Sequence, residues 1–315
     1  MTPTPLAPRP AALAAAPACR GGSGDPVEAA GPAPPWSWPT ARGTIALDRP
    51  VVMGILNVTP DSFSDGGRWL DPDAALAHAE EMLADGADLL DVGAESTRPG
   101  RPTPVPAEEE WRRLGPVLEG LVRRFPMVPI SVDTVKAETA RRALGAGAWI
   151  INDVTGLRHD PAVADACAAA GAGLVVMHSR GDLADLATYA HATYGALMTE
   201  IAEELDGMVR TAEGRGVAPA RIAVDPGFGF AKRPEHNLRL LDRLAALRAL
   251  GRPLVVGPSR KRFLGAVTGR EAAARDAATA AACVLASERG AHVFRVHAVR
   301  ETRDALRVAH AARTA

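Results

Sequence analysis

The chain has 315 residues, 47% hydrophobic and 23% charged, and its 36 Lys and Arg against 37 Asp and Glu leave a formal net charge of -1. That balance is that of an ordinary soluble globular protein and excludes one that coats nucleic acid, which would carry a clear basic excess. No apolar run approaches the roughly 20 residues that span a bilayer, and Cys19, Cys167 and Cys283 are too widely spaced for a zinc site or a disulfide framework, which points to a reducing cytoplasm.

Residues 1–44 are rich in proline, glycine and alanine. The small apolar run from Ala11 to Ala18 has the outline of a secretion signal, but Pro10 and Pro17 bracket it and alanine fills it in place of leucine. The segment is read as a disordered extension ahead of one catalytic domain over 45–315.

From residue 45 onward, short β-branched runs alternate with longer amphipathic segments. Strands are predicted from Val51 to Leu56, Leu89 to Val92, Ile130 to Val132, Trp149 to Ile151, Leu174 to Met177, Ile222 to Val224, Leu254 to Val256 and Val293 to Val296. Helices are predicted near 73–85, 108–124, 135–145, 161–170, 194–214, 235–250, 272–289 and 301–312. This alternation predicts the α/β class and a single-domain (β/α)8 TIM barrel. A doubly wound open sheet would show a glycine-rich first turn, and Gly54-Ile55-Leu56-Asn57 is not one.

Asn57, Asp91, Asp133, Asn152, His178, Asp225, Ser259 and Arg295 each stand at or just past the carboxyl end of a predicted strand. In a barrel those ends share one face, where active sites are built. Lysine occurs only at 136, 232 and 261, and asparagine only at 57, 152 and 237. Against so arginine-rich a background, each of these residues points to a specific chemical need.

In chain order, the segment from Asn57 to Gly67 reads either as an Asx-type turn or as a mobile lid, with Gly66 and Gly67 as hinge and Phe63 as apolar cover. Asn57 offers a neutral oxygen to a magnesium ion otherwise ligated by water and phosphate. The segment from Glu95 to Gly100 sets Arg98 in a proline-stiffened turn, for a phosphate or for a surface salt bridge. Asp133, Asn152 and Asp225 suit a heterocyclic edge that mixes N–H and C=O groups, or else cap the following helices. Phe228, between Gly227 and Gly229, packs on a flat ligand or in the core, and Met177 likewise lines a ligand floor or the core. Ser259, Lys261 and Arg262 gather cations at a helix start, which favours an anion. Arg295 and His297 alternate to one side of the last strand and complete a polyanion clamp with Arg98 and Asn57.

Met53-Gly-Ile-Leu-Asn-Val-Thr-Pro-Asp-Ser-Phe-Ser-Asp-Gly-Gly67 and Asp91-Val-Gly-Ala-Glu-Ser-Thr-Arg-Pro-Gly100 resemble the dihydropteroate synthase family of folate biosynthesis, pterin-binding TIM barrels. The similarity continues through Ser131-Val-Asp133, Ile151-Asn-Asp-Val154, Val176-Met-His178, Asp225-Pro-Gly-Phe-Gly-Phe-Ala-Lys232, Ser259-Arg-Lys-Arg-Phe263 and Arg295-Val-His297.

The resemblance implies a transferase that joins 6-hydroxymethyl-7,8-dihydropterin pyrophosphate to p-aminobenzoate, the family being a sulfonamide target. It implies catalytic roles for Asp133, Asp225, Lys261 and Arg295. The pterin would be held by Asp133, Asn152, Asp225 and Lys261, with Met177, Gly227 and Phe228 nearby. Pyrophosphate would be held by Arg98, Arg295, His297 and, through Mg2+, Asn57, and p-aminobenzoate near Phe63, Thr97, Pro99 and the stretch from Ser259 to Arg262. A cytoplasmic homodimer with small-molecule substrates, touching neither nucleic acid nor membrane, is expected. The stretch from Ser179 to Tyr194 and the amino-terminal extension depart from the family pattern. Two rivals are a methyltetrahydrofolate-corrinoid methyltransferase-like barrel, which would not need the pyrophosphate clamp, and a catalytically silent pterin-binding paralogue.

Overall fold

The structure is a computed structural model that describes residues 36–59, 71–95 and 105–315. The described chain opens with a hairpin, β1 (Ser37–Pro39) against β2 (Thr44–Ala46), with Trp38 opposite Ile45. Eight parallel strands follow: β3 (Val51–Asn57), β4 (Leu89–Gly93), β5 (Ile130–Asp133), β6 (Ile150–Asp153), β7 (Gly173–Met177), β8 (Ile222–Asp225), β9 (Val255–Val256) and β10 (Val293–Val296). Their order is β8-β7-β6-β5-β4-β3-β10-β9, and a bridge from Val224 to Leu254 closes β8 onto the start of β9. The predicted barrel is the observed one.

The connecting helices are α1 (Pro72–Ala84), α2 (Ala107–Arg124), α3 (Ala137–Ala146), α4 (Ala162–Ala170), α5 (Leu197–Gly214), α6 (Pro234–Asp242), α7 (Arg262–Thr268), α8 (Asp276–Glu288) and α9 (Val299–Thr314). Two predicted helices are shorter than their apolar patterns. The one expected over 235–250 ends at Asp242 and continues as a 3-10 run, Leu244–Leu250. The one expected over 272–289 begins at Asp276, because Arg275 turns its Nε back to the Arg270 carbonyl at 2.8 Å.

Strand periodicity divides the core in two. Val52, Leu56, Leu90, Val92, Ile130, Val132, Ile151, Leu174, Val176, Ile222, Val224 and Phe294 point outward into one cluster with the helices. Val51, Met53, Leu89, Ile150, Val175, Ala223, Val255 and Val293 point inward and fill the lower barrel. Each such fully buried apolar side chain contributes about 1.5–3 kcal/mol of transfer free energy, so both layers are needed to keep the strands from slipping by a residue.

The predicted extension gives up its last residues to the fold. Residues 36–44, assigned to it from composition, belong to the fold: Trp38 is fully buried, packs with the inward lower layer and donates its indole N–H to the Arg221 carbonyl at 2.8 Å. Pro39 and Gly43 bracket the tight turn of a hairpin that plugs one barrel end. Residues 1–35 lie outside the described residues.

Candidate active site

Two residues further along the inward face of several strands, the barrel interior changes from apolar to polar. Leu89 is followed by Asp91, Ile150 by Asn152, Ala223 by Asp225 and Val293 by Arg295, and Asp133 stands two residues past Ser131. At about 3.3 Å of rise per residue, one layer separates a hydrophobic floor from a ring of charge. Arg295 joins that ring: its Nε donates to Asp91 Oδ2 at 2.5 Å and its Nη2 to Asp133 Oδ2 at 2.9 Å. Asn152 Nδ2 donates to the same Asp91 oxygen at 3.3 Å. A Cβ placed on Gly257 would sit 4.0 Å from both Arg295 Cδ and Asp225 Oδ2, so these two side chains face one spot that the glycine keeps open.

Burial and charge oppose each other here. Burial and the Asp91 charge push the Asp133 carboxyl up, against the pull of Arg295. Burial pushes Asp225 up to about 6, opposed by the Gly227 N–H, which donates to it at 2.7 Å, and by the Lys261 ammonium. Burial, then the neighbouring Arg295 charge, lowers Lys261 to about 8, while Asp225 and Asp133 act the other way. Asp91 Oδ1 and Ser131 Oγ are buried with no hydrogen-bond partner among the described residues. A ligand with N–H donors would satisfy Asp91, since an orphaned buried acceptor costs about 1–3 kcal/mol.

The flat-ligand aromatic is misassigned from sequence. Phe228, expected at the ligand, is only 1% exposed and stacks on Phe263 with centroids 5.8 Å apart in the outer core. Phe230 takes the inner position: Lys261 Nζ lies 3.9 Å above its ring, and it packs with Met177, Val135, Val154 and Leu186. Gly227 and Gly229 both have positive φ, at 70° and 79°, so the turn reverses direction around Phe228 and sends alternate rings to opposite sides. At Gly227 a Cβ would fall 2.0 Å from the His178 carbonyl oxygen, so a side chain is excluded outright. Met177 ends β7 opposite Asp225 and packs with Phe230.

Ser259 Oγ and His297 Nδ1 lie 2.9 Å apart, and the His297 N–H donates to the same hydroxyl at 3.2 Å, tying the loop after β9 to the end of β10. Arg262 is on the exposed rim, where its guanidinium stacks 4.5 Å from the Tyr189 ring and donates to the Ala187 carbonyl. The unusual 179–194 stretch therefore reaches the predicted site through Arg262. Asn57 ends β3 beside Gly93, half-buried at the mouth. Phe63, Thr97, Arg98 and Pro99 lie outside the described residues.

Several polar residues were not assigned from sequence. Asp91 was noted only for its strand-end position, yet it anchors both Asn152 and Arg295. Lys136 bonds Glu95 and Glu110, and Glu95 also accepts the Val105 N–H at 2.9 Å, joining residues on either side of 96–104. The rarity of lysine was the available signal. Asp153, by contrast, spends its carboxylate on Thr155 and Leu157 N–H groups at 2.7 and 2.9 Å and shapes a turn.

No group of three His, Cys, Asp or Glu suited to a metal occurs among the described residues. The amide oxygen of Asn57 is a single neutral donor, which fits an ion that arrives with phosphate oxygens and water and does not fit a resident metal.

The family model for pterin binding enzymes matches residues 53–297. A dihydropteroate synthase of Mycobacterium leprae is 45% identical over 263 residues, 82% of this chain and 91% of the relative. The structure of Xanthomonas albilineans dihydropteroate synthase with 4-aminobenzoic acid superposes with a TM-score of 0.83 at 45% identity, over 90% of this chain and 100% of that one. The same enzyme in complex with 7,8-dihydropteroate gives a TM-score of 0.79 at 43% identity, over 89% and 99%.

Proposed function

The chain belongs to the pterin binding enzyme family, and we propose that its polar ring binds 6-hydroxymethyl-7,8-dihydropterin pyrophosphate and transfers the pterin methylene to the amine of p-aminobenzoate. It is a transferase of folate synthesis with dihydropteroate synthase activity. The observation that carries the residue assignment is the inward layer of Asp91, Asp133, Asn152 and Asp225 around Lys261 and Arg295.

A pyrimidine edge presents N–H and NH2 donors beside a carbonyl. Asp133 and Asp225 accept from the donors, Asn152 both donates and accepts, and Lys261 donates to the carbonyl or a ring nitrogen. Cleavage of the carbon–oxygen bond at the methylene leaves positive charge on the pterin and negative charge on pyrophosphate. The carboxylates, fixed before substrate arrives, stabilise the first charge. Arg295 and His297 stabilise the second from the end of β10, Arg295 through Nη1, which makes no hydrogen bond among the described residues. The methylene cation is then attacked by the amine nitrogen, which loses a proton as the new carbon–nitrogen bond forms. The ring of Phe230 and the rim cation Arg262 suit the aromatic acid, an apolar face ending in a carboxylate. Magnesium, when bound, neutralises charge on pyrophosphate, and Asn57 would hold it.

A cytoplasmic enzyme is supported by the free, buried thiols of Cys167 and Cys283. A homodimer is supported by the exposed apolar side chains Val267 on α7, Leu285 on α8 and Val308 on α9, which light scattering would test.

The deciding assay follows pyrophosphate release and pteroate formation from the pterin pyrophosphate, with and without p-aminobenzoate and with magnesium added or chelated. Magnesium-dependent condensation is expected. Tight pterin binding with no product would replace this reading by that of a silent paralogue.

A further inference from the structure

The buried Lys232 is not used by the chemistry above. It is 1% exposed, and its Nζ lies 2.8 Å from His178 Nδ1, 3.2 Å from the Gly227 carbonyl oxygen and 3.2 Å from the Phe230 carbonyl oxygen. Three acceptors thus surround a head group with three donors. The two carbonyls belong to the residue whose N–H holds Asp225 and to the residue whose ring lies beneath Lys261. We propose that Lys232, with His178 behind it, is a positioning residue that sets Asp225 and Phe230 in register for the pterin and the aromatic acid.

The surroundings share that task. Asn237 accepts the Gly229 N–H at 2.7 Å and donates to the Lys232 carbonyl at 3.0 Å, so two of the chain's rarest residue types stitch the same turn. His178 Nε2 faces Glu204 at 3.1 Å, and Glu204 is in turn paired with Arg180. Because the Lys232 ammonium donates, the ring presents Nδ1 to it as an acceptor and carries its proton on Nε2, which lies near Glu204 without hydrogen-bond alignment among the described residues. The His178 backbone N–H also donates to the Asp225 carbonyl at 2.8 Å, so the end of β7 and the turn after β8 move as one piece. A guanidinium, planar and longer, cannot meet three acceptors gathered about one point.

The proposal rests on the reading that Asp225 faces the pterin. Its test is calorimetric binding of 6-hydroxymethylpterin to the full chain and to Lys232→Met, Lys232→Arg, His178→Ala, His178→Asn and Asp225→Asn, with near-ultraviolet circular dichroism as the check on folding. Both Lys232 variants and His178→Ala should bind about tenfold more weakly or worse, as a displaced turn misplaces Asp225. His178→Asn puts Oδ1 where Nδ1 stood and should recover most of the affinity. The Lys232→Met, His178→Ala pair should be no worse than Lys232→Met alone, because both remove one shared contact. A folded Lys232→Met that binds within about twofold of the parent while Asp225→Asn loses binding overturns the proposal. Unchanged binding in Asp225→Asn overturns the pterin-site reading itself. Should Lys232→Met fail to fold, the two His178 variants decide alone: equal affinity in the alanine and asparagine forms overturns the positioning role.

Discussion

Arg260 grips Asp276 with both Nε and Nη2, at 2.7 and 2.8 Å, from a backbone held in the left-handed region at φ 57°. The strain sits between two predicted site residues, Ser259 and Lys261, and costs about 1–2 kcal/mol for a residue with a Cβ. The pair therefore aims Lys261 into the barrel, with Thr279 Oγ1 accepting the Arg260 N–H at 3.1 Å in support.

Asp276→Ala should release that turn. Thermal unfolding is expected to fall by about 2–4 °C, and kcat/KM for the pterin substrate should fall with it as Lys261 loses its aim. Unchanged kinetics in a destabilised variant would show that the pair serves the fold alone.

The acid and base limits of activity follow from Asp225 and Lys261. Asp225 is raised to about 6, so the carboxylate that accepts from the pterin is present above that pH and lost below it. Lys261 is lowered to about 8, so its ammonium is present below that pH and lost above it. The profile of kcat/KM for the pterin substrate should rise through the first value and fall through the second. Asp225→Asn should remove its share of the acid limb and leave the share of Asp133, whose carboxyl burial also raises, so a limb unchanged by Asp225→Asn would show that Asp225 does not set it.

Removing either charge outright should cost more. Lys261→Ala and Asp225→Ala are each expected to lose about 3 kcal/mol of transition-state stabilisation, roughly a hundredfold in rate. Single-turnover rates close to the parent would refute the assignment of the polar ring.

The two phenylalanines of the 227–230 turn should separate stability from binding. Phe228→Ala empties a place beside Phe263 and is expected to cost about 3–5 kcal/mol of stability, with modest kinetic change in what remains folded. Phe230→Ala should instead raise KM for p-aminobenzoate with the smaller loss in denaturant midpoint. The reverse pattern would restore Phe228 to the ligand.

What the sequence by itself determined is local in origin. Strands buried on both faces must read as apolar runs, so the eight strands were legible within a few residues, whereas α7 had no predicted range and α6 ends eight residues before its apolar pattern does. Their position at the carboxyl ends of the strands then placed Asp133, Asn152, Asp225 and Arg295 on one face before any contact was known. Pattern could not decide partners that come together only when the barrel closes. Arg295 reads as a free anion clamp, yet closure sets it between Asp91 and Asp133 from strands far away in the chain. Trp38 reads as part of a linker until the lower barrel offers it a cavity. Phe228 and Phe230 are equivalent as letters, and only the two left-handed glycines, folded against His178 and Lys261, send one ring to the core and the other to the site. Strand direction is set by neighbours in sequence, whereas the pairing of buried charges and rings is set by long-range packing, and only the tertiary structure contains it.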